Sequence, residues 1–169
     1  LGDSIIGLHA QSTIVGRMIE EYDRTKADAV IALEEVPRSD VVRYGIGSPK
    51  GTPGDVFELD DLFEKPSVDE APSNLAIAAR YVCSPAIFEI LHRTDPGKGS
   101  EIQFTDAFRI LLREGGKVVG VRLPPGEGRF DIGGFDSYFR AFTEFALADP
   151  QYGDDLRTFL KGLLNQGNA

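Results

Sequence analysis

The chain has 169 residues, with 18 basic against 27 acidic side chains, a net charge of −9, and 41% hydrophobic and 27% charged residues. That length suits a single domain spanning residues 1–169, and the negative balance excludes nonspecific binding to nucleic acid or an anionic membrane, which needs a basic field to displace counterions. No apolar run reaches the roughly 20 residues that span a bilayer, and one cysteine, Cys83, excludes an internal disulfide or a cysteine-rich metal site, so a cytoplasmic home is expected.

In chain order, Leu1-Gly2-Asp3-Ser4-Ile5-Ile6-Gly7 reads as a strand end running into a loop, as expected of a piece of a longer chain. Apolar positions at Ile14, Val15, Met18, Ile19 and Tyr22 predict a helix over Gln11 to Arg24, with Ser12 or Thr13 as N-cap. Ala27 to Val36 reads as a buried strand and Val41 to Gly47 as a second. The Gly- and Pro-rich stretch Ser48 to Asp55 is a turn signal, and Val56 to Glu64 returns as the partner strand. Asn74 to Cys83 is a strand feeding a helix from Pro85 to Arg93, with Ser84 as cap. A helix over Ile102 to Glu114 buries Ile102, Ala107, Phe108, Ile110, Leu111 and Leu112. Lys117 to Leu123 is a strand, Pro124 to Gly128 a turn, and Arg129 to Gly133 a short strand or strand end. Helices over Phe135 to Ala148 and Asp154 to Leu164 close the chain. The alternation predicts an α/β class with a mixed, mostly parallel sheet and flanking helices.

Three stretches put charge where strands end, the place where ligands collect in open α/β sheets. Asp3 follows a Gly at a strand end, a position for a divalent metal, although a loop or capping Asp is the commoner use of such a residue. Glu64-Lys65-Pro66 offers a hydrogen-bond acceptor for hydroxyls and a point charge for phosphate, although a surface pair is the commoner use of so short a stretch. The proline is expected to hold Lys65 extended, so that Glu64 and Lys65 point to opposite faces. Asp131, flanked by Phe130 and Ile132 and followed by Gly133-Gly134, is a turn Asp or a partner of Asp3 on one metal. His9 and His92 are isolated, Cys83 sits in an apolar strand, and Ser4 lacks a nucleophile elbow. Gly97-Lys98-Gly99-Ser100 fails the spacing of a phosphate loop. Phe135, Phe139, Phe142 and Phe145 recur at helical spacing, for a core or an interface.

Taken in order, Glu64-Lys65-Pro66, then Ala71-Pro72-Ser73-Asn74-Leu75-Ala76-Ile77 and Arg80-Tyr81-Val82, resemble the "EKP … PSNLAI..RYV" signature of bacterial UTP–glucose-1-phosphate uridylyltransferases. Glu101-Ile102-Gln103-Phe104-Thr105-Asp106-Ala107 is similar to that family's "EIQLTDA", Tyr44-Gly45 to its "YGVV" strand, and Phe130-Asp131-Ile132-Gly133 to its second "D-x-G". The resemblance covers the whole chain. It implies the C-terminal portion of a Rossmann-like nucleotide-diphospho-sugar transferase fold that makes UDP-glucose and pyrophosphate from UTP and glucose 1-phosphate.

The roles it implies are Asp3 and Asp131 on Mg2+, Lys65 at the sugar phosphate, Glu64 at the sugar hydroxyls, Gly45 with its backbone close to the hexose, and Asn74 at the rim. It also implies a homo-oligomer. The family's Gly-rich "G-x-G-T-R" loop has no counterpart in these residues, so the 169-residue chain alone is expected to be inactive. The departures are Ser4 where an acidic residue is frequent, Ala79 where Gly is frequent, and Gly134 for Asn or Asp. A thymidylyl- or adenylyltransferase, or a noncatalytic module that keeps the fold, are the alternatives.

Overall fold

The computed structural model describes residues 3–7, 12–97 and 100–166. The strand expected at Leu1-Gly2, the helix start at Gln11, and His9, Lys98 and Gly99 lie outside them. In chain order the elements are β1 (Ser4–Gly7), α1 (Ile14–Thr25), β2 (Ala29–Glu35), a 3-10 helix (Arg38–Arg43), β3 (Gly45–Pro49), β4 (Val56–Glu64), β5 (Leu75–Cys83), α2 (Ala86–His92), α3 (Phe104–Arg113), β6 (Val118–Arg122), β7 (Gly128–Asp131), α4 (Phe135–Ala148) and α5 (Gly153–Gln166). They fall into two compact units, Thr13–Pro124 and Leu1–Ser12 with Pro125–Ala169.

In the Thr13–Pro124 unit, five strands pair in a closed circuit, β2-β5-β3-β4-β6. The sheet is mixed, as expected, but not mostly parallel: β2–β6 is its one parallel pairing among the described strands. A parallel pair needs a long crossover, usually helical. Here β3, β4 and β5 follow one another with no helix between them, so both β4 and β5 lie antiparallel to β3.

Residues 29–33 of β2 are all fully buried, which suits an apolar run covered on both faces. Ile31 and Leu33 join Leu59, Leu62, Leu75, Ile77 and Val118 in one core with Ile87 and Ile90 of α2 and Ala107, Phe108 and Leu111 of α3. Phe108 is wholly buried, worth roughly 1.5–3 kcal/mol of transfer free energy. It also closes a cluster with Tyr81 and Phe104, at centroid separations of 5.4 and 5.6 Å. Ile102, expected on this buried face, precedes α3 and is exposed. Val41 and Val42, expected in a strand, lie in the 3-10 helix instead, with Val41 buried and Val42 exposed. Tertiary contacts outweigh β-propensity there. Arg38 opens that helix and donates to the carbonyls of Ser73, Val68 and Ala71 at 2.9, 2.7 and 2.6 Å, tying it to the loop ahead of β5.

Two backbone features depart from regular strand. Between the Ile31–Tyr81 and Leu33–Ile77 pairs the register shifts, and Ala79 on the longer side has φ of 53°. Gly51 turns the β3–β4 hairpin at φ of 80°. Thr13 caps α1 by position alone, without a side-chain hydrogen bond.

In the other unit, β1 and β7 form a two-stranded antiparallel sheet, and Phe130 of β7 packs edge-on against Phe145 of α4 at 5.0 Å. Ser12 donates to the Glu127 carboxylate rather than capping α1. Of the phenylalanines expected in a core or an interface, Phe135, Phe139 and Phe142 are exposed, which overturns the core reading for those three.

Candidate functional site

Glu64 ends β4 opposite Gly45, the first residue of β3. One residue on, the Lys65 N–H donates to the Tyr44 carbonyl at 3.0 Å, and Lys65 takes a φ of 46°. The extended backbone expected ahead of Pro66 is therefore absent. The chain turns left-handed at Lys65, which ends the alternation of faces. Glu64 and Lys65 consequently line one recess of about 520 Å³, with Phe63, Pro66, Glu70, Asp106 and Arg109. A left-handed conformation at a residue with a Cβ costs roughly 1–2 kcal/mol, and such costs concentrate at functional sites.

Glu64, Lys65 and Arg109 each have a defined partner. The Thr105 hydroxyl donates to Glu64 Oε2 at 2.6 Å, and Lys65 Nζ stands 3.9 Å from Glu64 Oε1. The Glu64 side chain is 15% exposed and that of Lys65 46%. Arg109 is held on Asp61 at 2.9 and 3.4 Å, with its guanidinium 5.3 Å from the centre of the Phe63 ring. The lining thus carries two cations, Lys65 and Arg109, and three carboxylates, Glu64, Glu70 and Asp106. Such a mixture suits a ligand bearing both hydroxyl donors and an anionic group.

Gly45 lies directly behind this arrangement. A Cβ there would stand 2.9 Å from Thr105 Oγ1, 3.2 Å from Glu64 Oε2 and 2.8 Å from Ile77 Cδ1. Asn74 does not line the recess; it precedes β5, and its amide donates to the Val36 carbonyl at 3.3 Å. Sequence reasoning singled out Glu64 and Lys65 but missed Thr105, Asp106 and Arg109. The available signal was the Glu101-to-Ala107 motif, which contains Thr105 and Asp106 at the start of α3, with Arg109 one turn further on.

In the unit that holds β1 and β7, Asp3 stands in a turn directly ahead of β1, and Asp131 is the last residue of β7. Ser4 pairs with Asp131, and the Ile132 N–H donates to the Asp3 carbonyl at 2.7 Å, so residues far apart in sequence become neighbours. Asp131 Oδ1 accepts from the Gly133 N–H at 2.8 Å. A Cβ on Gly133 would lie 3.3 Å from Asp131 Oδ1 and 3.4 Å from the Asp3 Cβ, so this glycine is flanked by both acidic residues. Both are exposed. Among the described residues no cluster of three or more His, Cys, Asp or Glu side chains is built to hold a metal. Two hard oxygen donors open to solvent do fit Mg2+, which keeps most of its waters and takes one or two carboxylates together with substrate phosphates.

Ser4, the cross-strand partner of Asp131, is buried. Gly134 caps α4, its carbonyl accepting the Tyr138 N–H at 2.8 Å. His92 lies at the exposed end of α2, and Cys83, at the end of β5, is partly buried. No helix among the described residues is long and apolar enough to cross a membrane.

Comparison with known proteins adds the lineage. The chain is 36% identical over 163 residues to a UTP–glucose-1-phosphate uridylyltransferase of Staphylococcus epidermidis, covering 96% of this chain and 54% of that protein. A UTP-bound UGPase from Acinetobacter baumannii superposes with a TM-score of 0.80 at 31% identity, over 95% of this chain and 54% of that one. A UDP-glucose pyrophosphorylase complexed with UDP-glucose gives 0.74 at 34%, over 83% and 52%. The chain therefore spans about half the length of the curated relatives it matches. The family model described as nucleotidyl transferase matches residues 2–147, running from the turn that carries Asp3, through the Glu64–Lys65 recess, to α4, and the chain belongs to that family.

Proposed function

We propose that the whole protein is a UTP–glucose-1-phosphate uridylyltransferase and that this chain supplies its sugar-phosphate site. The observation that carries the reading is the shared recess of Glu64 and Lys65, because a sugar phosphate presents hydroxyl donors and an anion together. In the proposed reaction an oxygen of the glucose 1-phosphate phosphate attacks the α-phosphorus of UTP. One P–O bond forms, the α–β phosphoanhydride bond breaks, and pyrophosphate leaves. The nucleophile and its target are both anionic, so catalysis rests on alignment and on offsetting charge.

Lys65 holds the sugar phosphate and offsets its charge as it approaches, while Glu64 orients the hexose through its hydroxyls. Gly45 supports this by leaving room behind Glu64. Asp3 and Asp131 would hold Mg2+, which supplies charge neutralisation at phosphate oxygens. No protein nucleophile is required.

The test is product formation by the purified whole protein with glucose 1-phosphate and Mg2+, offering UTP, dTTP or ATP. UDP-glucose with UTP, at a rate well above either other nucleotide, is the expected result. Preferred use of dTTP or ATP would replace the uridylyl reading, and no product with any of them would remove the enzymatic one.

The exposed aromatic face of α4, with Phe135, Phe139 and Phe142, supports self-association of the whole protein. A monomer in sedimentation velocity would contradict that. A substrate such as UTP and a lone cysteine fit a cytoplasmic location, which cell fractionation tests.

A further inference from the structure

We propose that Thr105 is a positioning residue for the sugar: its hydroxyl fixes the Glu64 carboxylate so that the other oxygen faces the recess. This rests on the reading of Glu64 as the acceptor for sugar hydroxyls. Thr105 is only 5% exposed, and its Oγ1 donates to Glu64 Oε2 at 2.6 Å. Glu64 Oε1, the other oxygen, is the one that stands 3.9 Å from Lys65 Nζ. A glutamate left to itself has three rotatable side-chain bonds and populates several orientations. A short bond from a buried hydroxyl removes most of that freedom before any ligand arrives.

The geometry is built from three elements. Glu64 comes from β4, Thr105 from the first turn of α3, and Gly45 of β3 leaves the space that the two side chains fill. With a Cβ at residue 45, the hydroxyl and the carboxylate oxygen would be approached at 2.9 and 3.2 Å, so the pair depends on that glycine. Nothing in helix formation requires a threonine here; the cap residue of α3 is Gln103. The hydroxyl's partner in the structure is the carboxylate.

The experiment compares Thr105→Val, which keeps the shape and removes the donor, with Thr105→Ser, which keeps the donor, in the whole protein. Glu64→Gln is measured beside them. Thr105→Val is expected to raise the KM for glucose 1-phosphate roughly 10-fold, the scale of one hydrogen bond to a charged acceptor, with the KM for UTP within about twofold. Thr105→Ser is expected to stay within about twofold of the parent on both.

A second readout separates positioning from a packing role. For the deoxy analogue of glucose 1-phosphate that lacks the hydroxyl Glu64 accepts, the penalty of Thr105→Val disappears, whereas a packing defect would persist for every analogue. If Thr105→Val does not fold, Thr105→Ala takes its place against Thr105→Ser.

Equal KM values for the valine and serine variants, or a penalty that survives in all the deoxy analogues, would overturn the role of Thr105. A silent Thr105→Val beside a damaging Glu64→Gln would overturn it alone and leave the sugar site standing. An unchanged KM in Glu64→Gln would remove the sugar-site reading itself, and Thr105 with it.

Discussion

Replacing Gly45 with alanine adds one methyl group at the tightest point behind the recess. The new Cβ would meet Ile77 Cδ1 at 2.8 Å, Thr105 Oγ1 at 2.9 Å and Glu64 Oε2 at 3.2 Å. The Ile77 methyl is the end of a flexible side chain and yields at little cost. The other two atoms are joined by a 2.6 Å hydrogen bond, so neither retreats without stretching it. Overpacking of this kind costs about 1–3 kcal/mol. At about 2–4 °C per kcal/mol for a domain of this size, the melting temperature falls by about 2–12 °C.

The matched control is Gly16→Ala in the first turn of α1, where an added Cβ has nothing within 4 Å. The same chemical change there is expected to stabilise by about 0.5–1 kcal/mol, through lost backbone freedom in the unfolded chain. Differential scanning calorimetry of both variants reads the contrast in sign. The KM for glucose 1-phosphate is expected to rise in Gly45→Ala and to hold in Gly16→Ala. If both variants melt within a degree of the parent and Gly45→Ala keeps its KM, the crowding behind Glu64 is not as described.

Ala79 pays for its φ of 53° in strain, so Ala79→Gly relieves roughly 1–2 kcal/mol while losing about 0.5–1 to backbone entropy. A small net rise in melting temperature is expected, and a fall would contradict the left-handed assignment. Burial raises the Cys83 thiol from its ordinary 9.0 to about 11, because the thiolate is disfavoured away from water. Absorbance titration of the thiolate should therefore give an apparent pKa near 11, and a midpoint near 9 would show that the thiol is solvated. A folded-state pKa raised in this way contributes stability that is fully present below the unfolded value of 9.0. It is lost as pH rises towards about 11, so the contribution fades in that alkaline window.

Much of the architecture was legible in local pattern. The span Val56–Glu64 of β4 and the span Phe135–Ala148 of α4 coincide with their sequence expectations, because a Pro/Gly-rich turn bounds the first and regular aromatic spacing marks the second. Pairing direction was less legible, since it depends on which strands lie side by side, and β3, β4 and β5 carry no crossover helix. Val41-Val42 misled because Arg38 draws that segment onto the 68–73 loop, a contact no local propensity encodes.

At the site, residue types pointed to Glu64 and Lys65, but their relative direction was misjudged. A preproline residue is normally extended, and here the hydrogen bond from Lys65 to Tyr44 accompanies a left-handed turn instead. Strand-end position raised a pairing of Asp3 with Asp131 as one of two readings and the resemblance favoured it; in the fold their proximity arises from the β1–β7 pairing. Thr105 and Arg109 escaped notice because a threonine and an arginine on an amphipathic helix look like ordinary surface until β4 is set against them.

The most direct measurement is single-turnover UDP-glucose formation by the whole protein carrying Lys65→Ala or Asp131→Asn, at saturating UTP and Mg2+. Each substitution is predicted to slow the chemical step by on the order of 10²-fold or more, because each removes a group that offsets phosphate charge in the transition state. A rate within about twofold of the parent for either variant, against that expected loss, would contradict the role assigned to that residue.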